Sequence, residues 1–451
     1  MTSCDPHPLT TLLAKRKDDA EIGIYSACTA HPLVLEAVIE AAQESDTIAL
    51  IEATANQVDQ FGGYTGMVPQ DFAELVRGIA QEIGLPAERL ILGGDHLGPL
   101  VWHDKPEAEA MELAEQLVRA YVEAGYTKIH IDTTMRLADD DTALPLDDET
   151  IARRAARLVT TCEDAYAGVL AKARADKLIP LPVAPVYVIG SEVPIPGGAE
   201  HNEEEIQITT GDQFVQTYET FTNEFKAQGL DDALSRIVGV VVQPGVEFSD
   251  ASVSDYDHEK AAELCAQLDR YPSVVFEGHS TDYQDRESLK EMVEDGIALL
   301  KVGPALTFAL RETLFALSDI EEDPLLDNPN GQGSLSHFKE VLVDAMKDDP
   351  TYWQHHYHSK GKKKLDHQLK YSLSDRCRYY LSYPQVKDSI DTLMNNIDTL
   401  DIPASIWKSH LPQQYHKVRD GELALEARAL VKDHIKDRIA DYLYATGVLD
   451  E

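Results

Sequence analysis

Ile91 to Pro99 reads I-L-G-G-D-H-L-G-P, a short apolar run that delivers Asp95 and His96 into a glycine-lined turn. A carboxylate that moves protons beside an imidazole that can hold a metal is a minimal unit for polarising a sugar carbonyl. Such a pair gains weight only from its setting. Seven further segments share its design, each an apolar run ending in polar residues before a turn and a helix-like stretch.

Working outward, Ile22 to Ala27 precedes a helical pattern from Pro32 to Gln43, and Thr47 to Glu52 precedes one near Pro69 to Ile83. Leu90 to Gly94 leads into an amphipathic stretch from Lys105 to Ala124, and Lys128 to Asp132 into a long helix from Leu146 to Ala173. Val183 to Gly190, Ile237 to Val242, Ser273 to Glu277 and Ile297 to Val302 supply the remaining runs, with helices between them. Eight strand-helix units over roughly the first 320 residues predict a closed parallel (β/α)8 barrel, with an open sheet as the alternative because periodicity does not reveal closure. No GxGxxG follows the first strand, which disfavours a dinucleotide-binding domain. After Asp323 the strands stop, and Asn328 to Gly333 is turn chemistry. The barrel is placed at residues 1–325 and a helical C-terminal region packed on it at 326–451, with helices at Ser336 to Asp348, Gln385 to Asn396 and Leu423 to Tyr444.

The 451 residues are 43% hydrophobic, enough for a substantial core, and no run of about 18 apolar residues is present, so no membrane span is expected. Met1 to Thr10 lacks a basic start followed by an apolar core, and the five cysteines are scattered without a CxxC pair. Both point to reduced thiols in a cytoplasmic protein. A net charge of −39 argues against nucleic acid or anionic lipid as a partner. Clusters such as Asp139 to Asp141 and Glu203 to Glu205 read as solvated surface, and so large an excess fits a halophilic setting, where salt screens self-repulsion.

In a parallel barrel the C-terminal strand ends converge on one mouth. Here they bring Ser26, Cys28 and His31, then Glu52, Asn56 and Gln57, then Asp95 and His96, then Asp132. Glu192, Gln243, Glu247, Glu277, His279, Ser280, Asp282, Gln284, Lys301 and Thr307 complete the set. Such a mouth can hold a divalent cation and still leave a free acid and base. Asp132 could equally cap the turn that follows it. Glu192, between a buried strand and a Pro-Gly loop, gains little structurally and reads as functional, as do His96 and His279. The glycines Gly93, Gly94 and Gly98 are expected to let a ligand approach. Cys28 reads as a packed barrel-end residue, and His355, His356 and His358 as a solvated turn rather than a metal tract. In the tail, Tyr371 to Tyr380 gathers Arg376 and Arg378 with hydroxyls, suited to a phosphate or to ordinary ion pairs on a surface helix.

Several segments resemble one family: I-E-A-T-A-N-Q-V-D-Q-F-G-G-Y-T-G-M (Ile51 to Met67), G-G-D-H-L-G-P, V-I-G-S-E-V-P-I-P-G-G, V-V-Q-P-G-V-E-F, H-S-T-D-Y-Q, K-V-G-P-A-L-T-F-A-L-R-E and Y-S-L-S-D-R-C-R-Y-Y. They are similar to the Z subunit of D-tagatose-1,6-bisphosphate aldolase, from about Thr11 through the tail. The resemblance implies a TIM barrel related to the zinc-dependent class II aldolases of galactitol and N-acetylgalactosamine breakdown. In that system a Y subunit carries catalysis and the Z subunit supports it. It implies Asp95 as proton donor beside a zinc ligand His96, with His279 as a further ligand. The class II histidine after strand six has no counterpart, because that turn reads Q-P-G-V-E, so Gln243, Glu247 or Glu192 is expected to complete the shell. Zinc or another divalent cation is therefore the expected cofactor, with Asp95, Glu192 and Asp132 catalytic and His96, His279 and Gln243 on the metal. A ketose phosphate or bisphosphate would rest on Glu52, Asn56, Gln57, Glu247, Ser280, Asp282, Lys301, Arg376 and Arg378. Two functions follow: a Z-type subunit supporting a Y-type partner, or a ketose-phosphate 4-epimerase that cleaves and remakes the C3–C4 bond. Homo-oligomers are compatible with either.

Overall fold

The computed structural model describes residues 6–141, 143, 146–191, 206–324, 326, 335–357 and 361–450. Eight parallel strands close into a barrel in sequence order. They are β1 (Ile24–Cys28), β2 (Ala49–Thr54), β3 (Leu90–Leu97), β4 (Lys128–Ile131), β5 (Val186–Ile189), β6 (Ile237–Val242), β7 (Val275–Gly278) and β8 (Leu299–Val302). β1 pairs with β8 through Ser26 opposite Lys301, which removes both sheet edges. The expected strands are thus all present and the open-sheet alternative is excluded.

The barrel interior is stratified. At its lower end Ile24, Leu50, Ile91, Val186, Val188, Val238, Val241 and Leu299 form an apolar floor. Leu9, on a short helix at Pro8–Leu13, plugs it from below and is fully buried. That helix escaped the sequence reading, since six residues carry no period. Above the floor the inward side chains become charged, and this change is what makes a site possible.

Glycines on β3 set the spacing of that upper layer. A Cβ on Gly93 would lie 2.7 Å from the Glu52 side chain, and one on Gly98 would lie 1.7 Å from the Asp132 carbonyl oxygen. Gly94 likewise makes room for Leu97 and Tyr121. These glycines admit neighbouring protein atoms, not a ligand, which corrects the expectation drawn from sequence. Gly98→Ala should therefore cost about 3 kcal/mol in urea unfolding, the upper part of the overpacking range, because a backbone oxygen cannot rotate away. An unchanged midpoint would mean that β3 and β4 separate freely.

After the barrel, the tail is helical, with helices at Phe338–Asp348, Lys362–Tyr371, Pro384–Thr399, Ala404–His410, Pro412–Asp420 and Ala427–Ala445. The last packs on the barrel helices Pro32–Glu44, Arg286–Glu294 and Pro304–Glu321. Arg428, Lys432 and Lys436, spaced by four, meet Glu36, Glu40 and Glu44, also spaced by four. Tyr442 from the same helix donates to the Thr281 carbonyl at 3.0 Å, so the tail reaches the β7 loop. Among the described residues no helix is long and apolar enough to cross a membrane.

Candidate metal centre

Three imidazoles meet at the upper end of the barrel. The ring centroids of His96, His130 and His279 are 5.1, 4.9 and 5.2 Å apart pairwise, each pair edge to face. With Asp95 they offer ligand atoms that all lie within 4.8 Å of one another. All four residues are buried. His96 is brought inward by an irregularity in β3, whose register against β4 shifts between Gly94 and Leu97. Its φ of 49° is left-handed, a conformation that a non-glycine residue holds only when its surroundings impose it.

Each imidazole is backed by a carboxylate. His96 Nδ1 lies 2.9 Å from Asp132 Oδ2, His130 Nδ1 lies 2.8 Å from Asp95 Oδ1, and His279 Nε2 lies 3.0 Å from Glu277 Oε1. Carboxylates behind histidines fix the ring and its tautomer for a metal on the other nitrogen. His130 Nε2 is buried with no hydrogen-bond partner, a costly state for a polar atom unless a ligand completes it. Burial pushes His279 down to about 3, so its ring is neutral, as a ligand must be. Burial also opposes charge on His96, but Asp95 and Asp132 outweigh it and raise its pKa.

Beneath the imidazoles lies a sealed ionic layer. Lys128 Nζ is 2.6 Å from both Glu52 Oε1 and Glu277 Oε2, off the hydrogen-bonding angle, with all three side chains fully buried. Lys301 contacts Glu52 and sits 2.7 Å from Asp95 Oδ1. Lys128 and Lys301 thus face the carboxylates of Glu52, Asp95 and Glu277, while Asp132 backs His96; with the histidines neutral, as on a metal, these four carboxylates exceed the two ammonium groups by two charges. A divalent cation would balance that excess, and the donor set is of the kind that holds zinc. Burial disfavours ionised Asp95, yet His96, Lys301 and His130 overcome it and hold the carboxyl well below its usual range. Lys128→Met should destabilise the fold by about 3 kcal/mol, since it leaves Glu52 with Lys301 alone and Glu277 with His279 and a distant Lys301, one buried positive charge short. A loss under about 1 kcal/mol in chemical denaturation would mean that water reaches this layer.

The sequence candidates divide by position. Cys28, Asn56, Gln57, Asp95, His96, His279, Ser280, Asp282, Lys301 and Arg378 line one pocket at the mouth, with Thr54, Tyr64 and Tyr379. Asp132 caps its turn, Oδ1 accepting from Thr134 N at 3.1 Å, and its Oδ2 lies 2.9 Å from His96 Nδ1, behind that ring. Glu52, a substrate-contact candidate, is sealed in the ionic layer instead. Gln243, expected on the metal, turns back to accept from Gly245 N at 2.8 Å, and His130 stands with His96 and His279 in its place. Burial raises the pKa of Glu247, which accepts from Phe248 N. Glu192 and His358 lie outside the described residues. Burial raises the Cys28 thiol well above its usual range, in keeping with a packed barrel-end residue.

The arginines sit in a buried 3-10 turn, Arg376–Tyr380, and not on a surface helix. Arg376 meets His356 Nδ1 at 3.0 Å, away from the pocket lining, whereas Arg378 reaches the mouth. Asp375, with a φ of 46°, anchors the turn by accepting from Thr307 Oγ1 at 2.6 Å and Arg311 Nε at 2.9 Å.

Among solved structures, the chain is similar to a probable tagatose 6 phosphate kinase from Sinorhizobium meliloti 1021, at 40% identity and a TM-score of 0.82, covering 94% of this chain and 100% of that one. The fructuronate-tagaturonate epimerase UxaE from Cohnella laeviribosi matches at 12% identity and a TM-score of 0.46, over 98% of this chain and 86% of that one. A fructose-bisphosphate aldolase from Campylobacter jejuni matches at 14% and 0.41, over 85% and 93%. The last two are too distant to bear on function. The profile of the family described as D-tagatose-1,6-bisphosphate aldolase subunit GatZ/KbaZ-like matches residues 9–447, and the chain belongs to that family.

Proposed function

We propose that the chain is itself a divalent-metal enzyme, using zinc, that breaks and remakes the C3–C4 bond of a ketose phosphate and so inverts C4. The observation that carries this is the set of three carboxylate-backed imidazoles, one of them backed by Asp95, a constellation that support of a partner does not require. Held by His96, His130 and His279, the metal would supply Lewis-acid polarisation of the C2 carbonyl. Asp95 takes the proton of the C4 hydroxyl, the C3–C4 bond breaks, its electron pair remains with the C2–C3 enediolate fragment, and C4 becomes an aldehyde. Once the aldehyde turns, the bond re-forms on its other face and Asp95 returns the proton to the C4 oxygen. Against the effect of burial, His96, Lys301 and His130 keep Asp95 ionised, the state in which it can accept that proton. Lys301 holds Asp95 in place, and Asn56, Gln57 and Ser280 offer polar contacts to sugar hydroxyls.

Membership in an aldolase-subunit family favours a second reading, in which the chain supports a Y-type catalytic partner. Incubating the purified zinc-loaded chain alone with tagatose and fructose phosphates separates the two. The C4 epimer is expected, and accumulated triose phosphates would indicate net cleavage by the same bond chemistry. If no sugar is converted while the chain raises the activity of a Y-type aldolase, the supporting role replaces the proposal.

A further inference from the structure

The mouth is poor in free positive charge. Among the described lining residues the lysine and arginine side chains are Lys301 and Arg378, and Lys301 is committed to Asp95 and Glu52. Arg378 differs. Its Nη1 donates to the carbonyls of Ser374 and Asp375 at 2.5 and 3.0 Å, and its Nη2 to the Tyr379 hydroxyl at 3.0 Å, with the guanidinium 4.5 Å from the Tyr379 ring. These contacts fix the group, and among the described residues no carboxylate oxygen forms an ion pair with it: Asp375 is engaged by Arg311, and Asp282 acts on it only at longer range.

A second anion-binding place exists and is already filled. The amides of Gly303 and Ala305, at the start of helix Pro304–Glu321, both donate to Asp282 Oδ1, at 3.0 and 2.7 Å. Amides at a helix start after strand eight are where a parallel barrel commonly receives a phosphate. Glu247 lies on the same side, where burial and the neighbouring Asp282 raise its pKa.

Resting on the reaction proposed above, we infer that the mouth selects a ketose with a single anionic end, phosphate or carboxylate, gripped by Arg378, and that Asp282 rejects a second phosphate by occupying the amides that would bind it. The test is calorimetric binding to the zinc-loaded full chain of four ligands: a neutral ketohexose, its 6-phosphate, the corresponding keto-hexuronate and the 1,6-bisphosphate. The monoanions should bind at least about 10-fold more tightly than the neutral sugar, the usual worth of a charge-assisted contact, and the bisphosphate no more tightly than the 6-phosphate. The tighter of 6-phosphate and uronate identifies the anion.

Arg378→Gln should erase the monoanion advantage. Asp282→Ala should tighten the bisphosphate by about 10-fold or more. Asp282→Asn, which keeps an oxygen on the two amides and so protects the fold, should shift it the same way by less. Wild type that prefers the bisphosphate 10-fold, or an Arg378→Gln chain with its monoanion preference intact, overturns the inference. A chain that converts ketoses yet prefers the bisphosphate sinks this inference alone, whereas one that binds none of the four sugars sinks it together with the reaction.

Discussion

Zinc-loaded chain, dialysed against metal-free buffer, is expected to keep about one metal per molecule, and His96→Ala, His130→Ala and His279→Ala are each expected to reduce that to a trace. The three rings surround a common point, and each has a carboxylate behind it, so deleting one leaves two nitrogens and a misaligned acid. His130→Ala is the most telling of the three, since His130 is fully buried and its Nε2 has no other partner. Stability should follow occupancy. A ligand at 100 times its dissociation constant adds about 2.7 kcal/mol to the folded state, so zinc should raise the unfolding temperature of wild type and leave the variants unmoved. Equal trace metal in wild type and all variants would show that the cluster is a packed polar core and no cation site.

His130 also shows where the sequence reading stopped. K-I-H-I-D, residues 128 to 132, was legible as a buried strand, and its isoleucines do face the barrel helices as part of the main core. The alternate residues Lys128, His130 and Asp132 point the other way, into the barrel. In a parallel barrel strand both faces are buried, so polar residues at every second position must have partners inside. That period of two was available as a signal. The same signal marks Glu52 in A-L-I-E-A-T, Glu277 in V-F-E-G and Lys301 in L-L-K-V.

Other features could not be read in the same way. Barrel closure depends on β1 meeting β8 across more than 270 residues, and no local period encodes it. The descent of Arg378 to the mouth depends on Asp375 docking to Thr307 and Arg311, a contact between the tail and a barrel helix. By contrast, Asp95, His96 and His279 were legible because each stands at the polar end of an apolar run; His279 follows β7 at a bend, whereas Asp95 and His96 lie within β3 and not in the turn expected after Gly94. Gln243 stands at such a break too, and it serves its own turn. Position at a strand end therefore narrows the candidates, and the neighbouring strands decide among them.

Asp95→Asn should lower turnover of ketose phosphate by about 10²-fold or more, the usual worth of a positioned general acid or base. The change keeps shape and removes charge. Either Asn atom can still face His130 Nδ1, but its NH₂ cannot take a proton and would face the Lys301 ammonium if turned that way. Losing one negative charge also leaves the ionic layer closer to balance, so zinc should bind somewhat less tightly without being lost, because the three imidazoles remain. The diagnostic pattern is retained metal, near-normal substrate binding and a collapsed kcat, which separates proton transfer from ligand loss. Supplementing the variant with excess zinc should restore occupancy and leave kcat low. Recovery of kcat to the wild-type value under those conditions would remove Asp95 from the proton path and assign it to holding His130 and Lys301 in position. A fall in KM alongside kcat would point instead to ground-state strain relieved at the C4 hydroxyl.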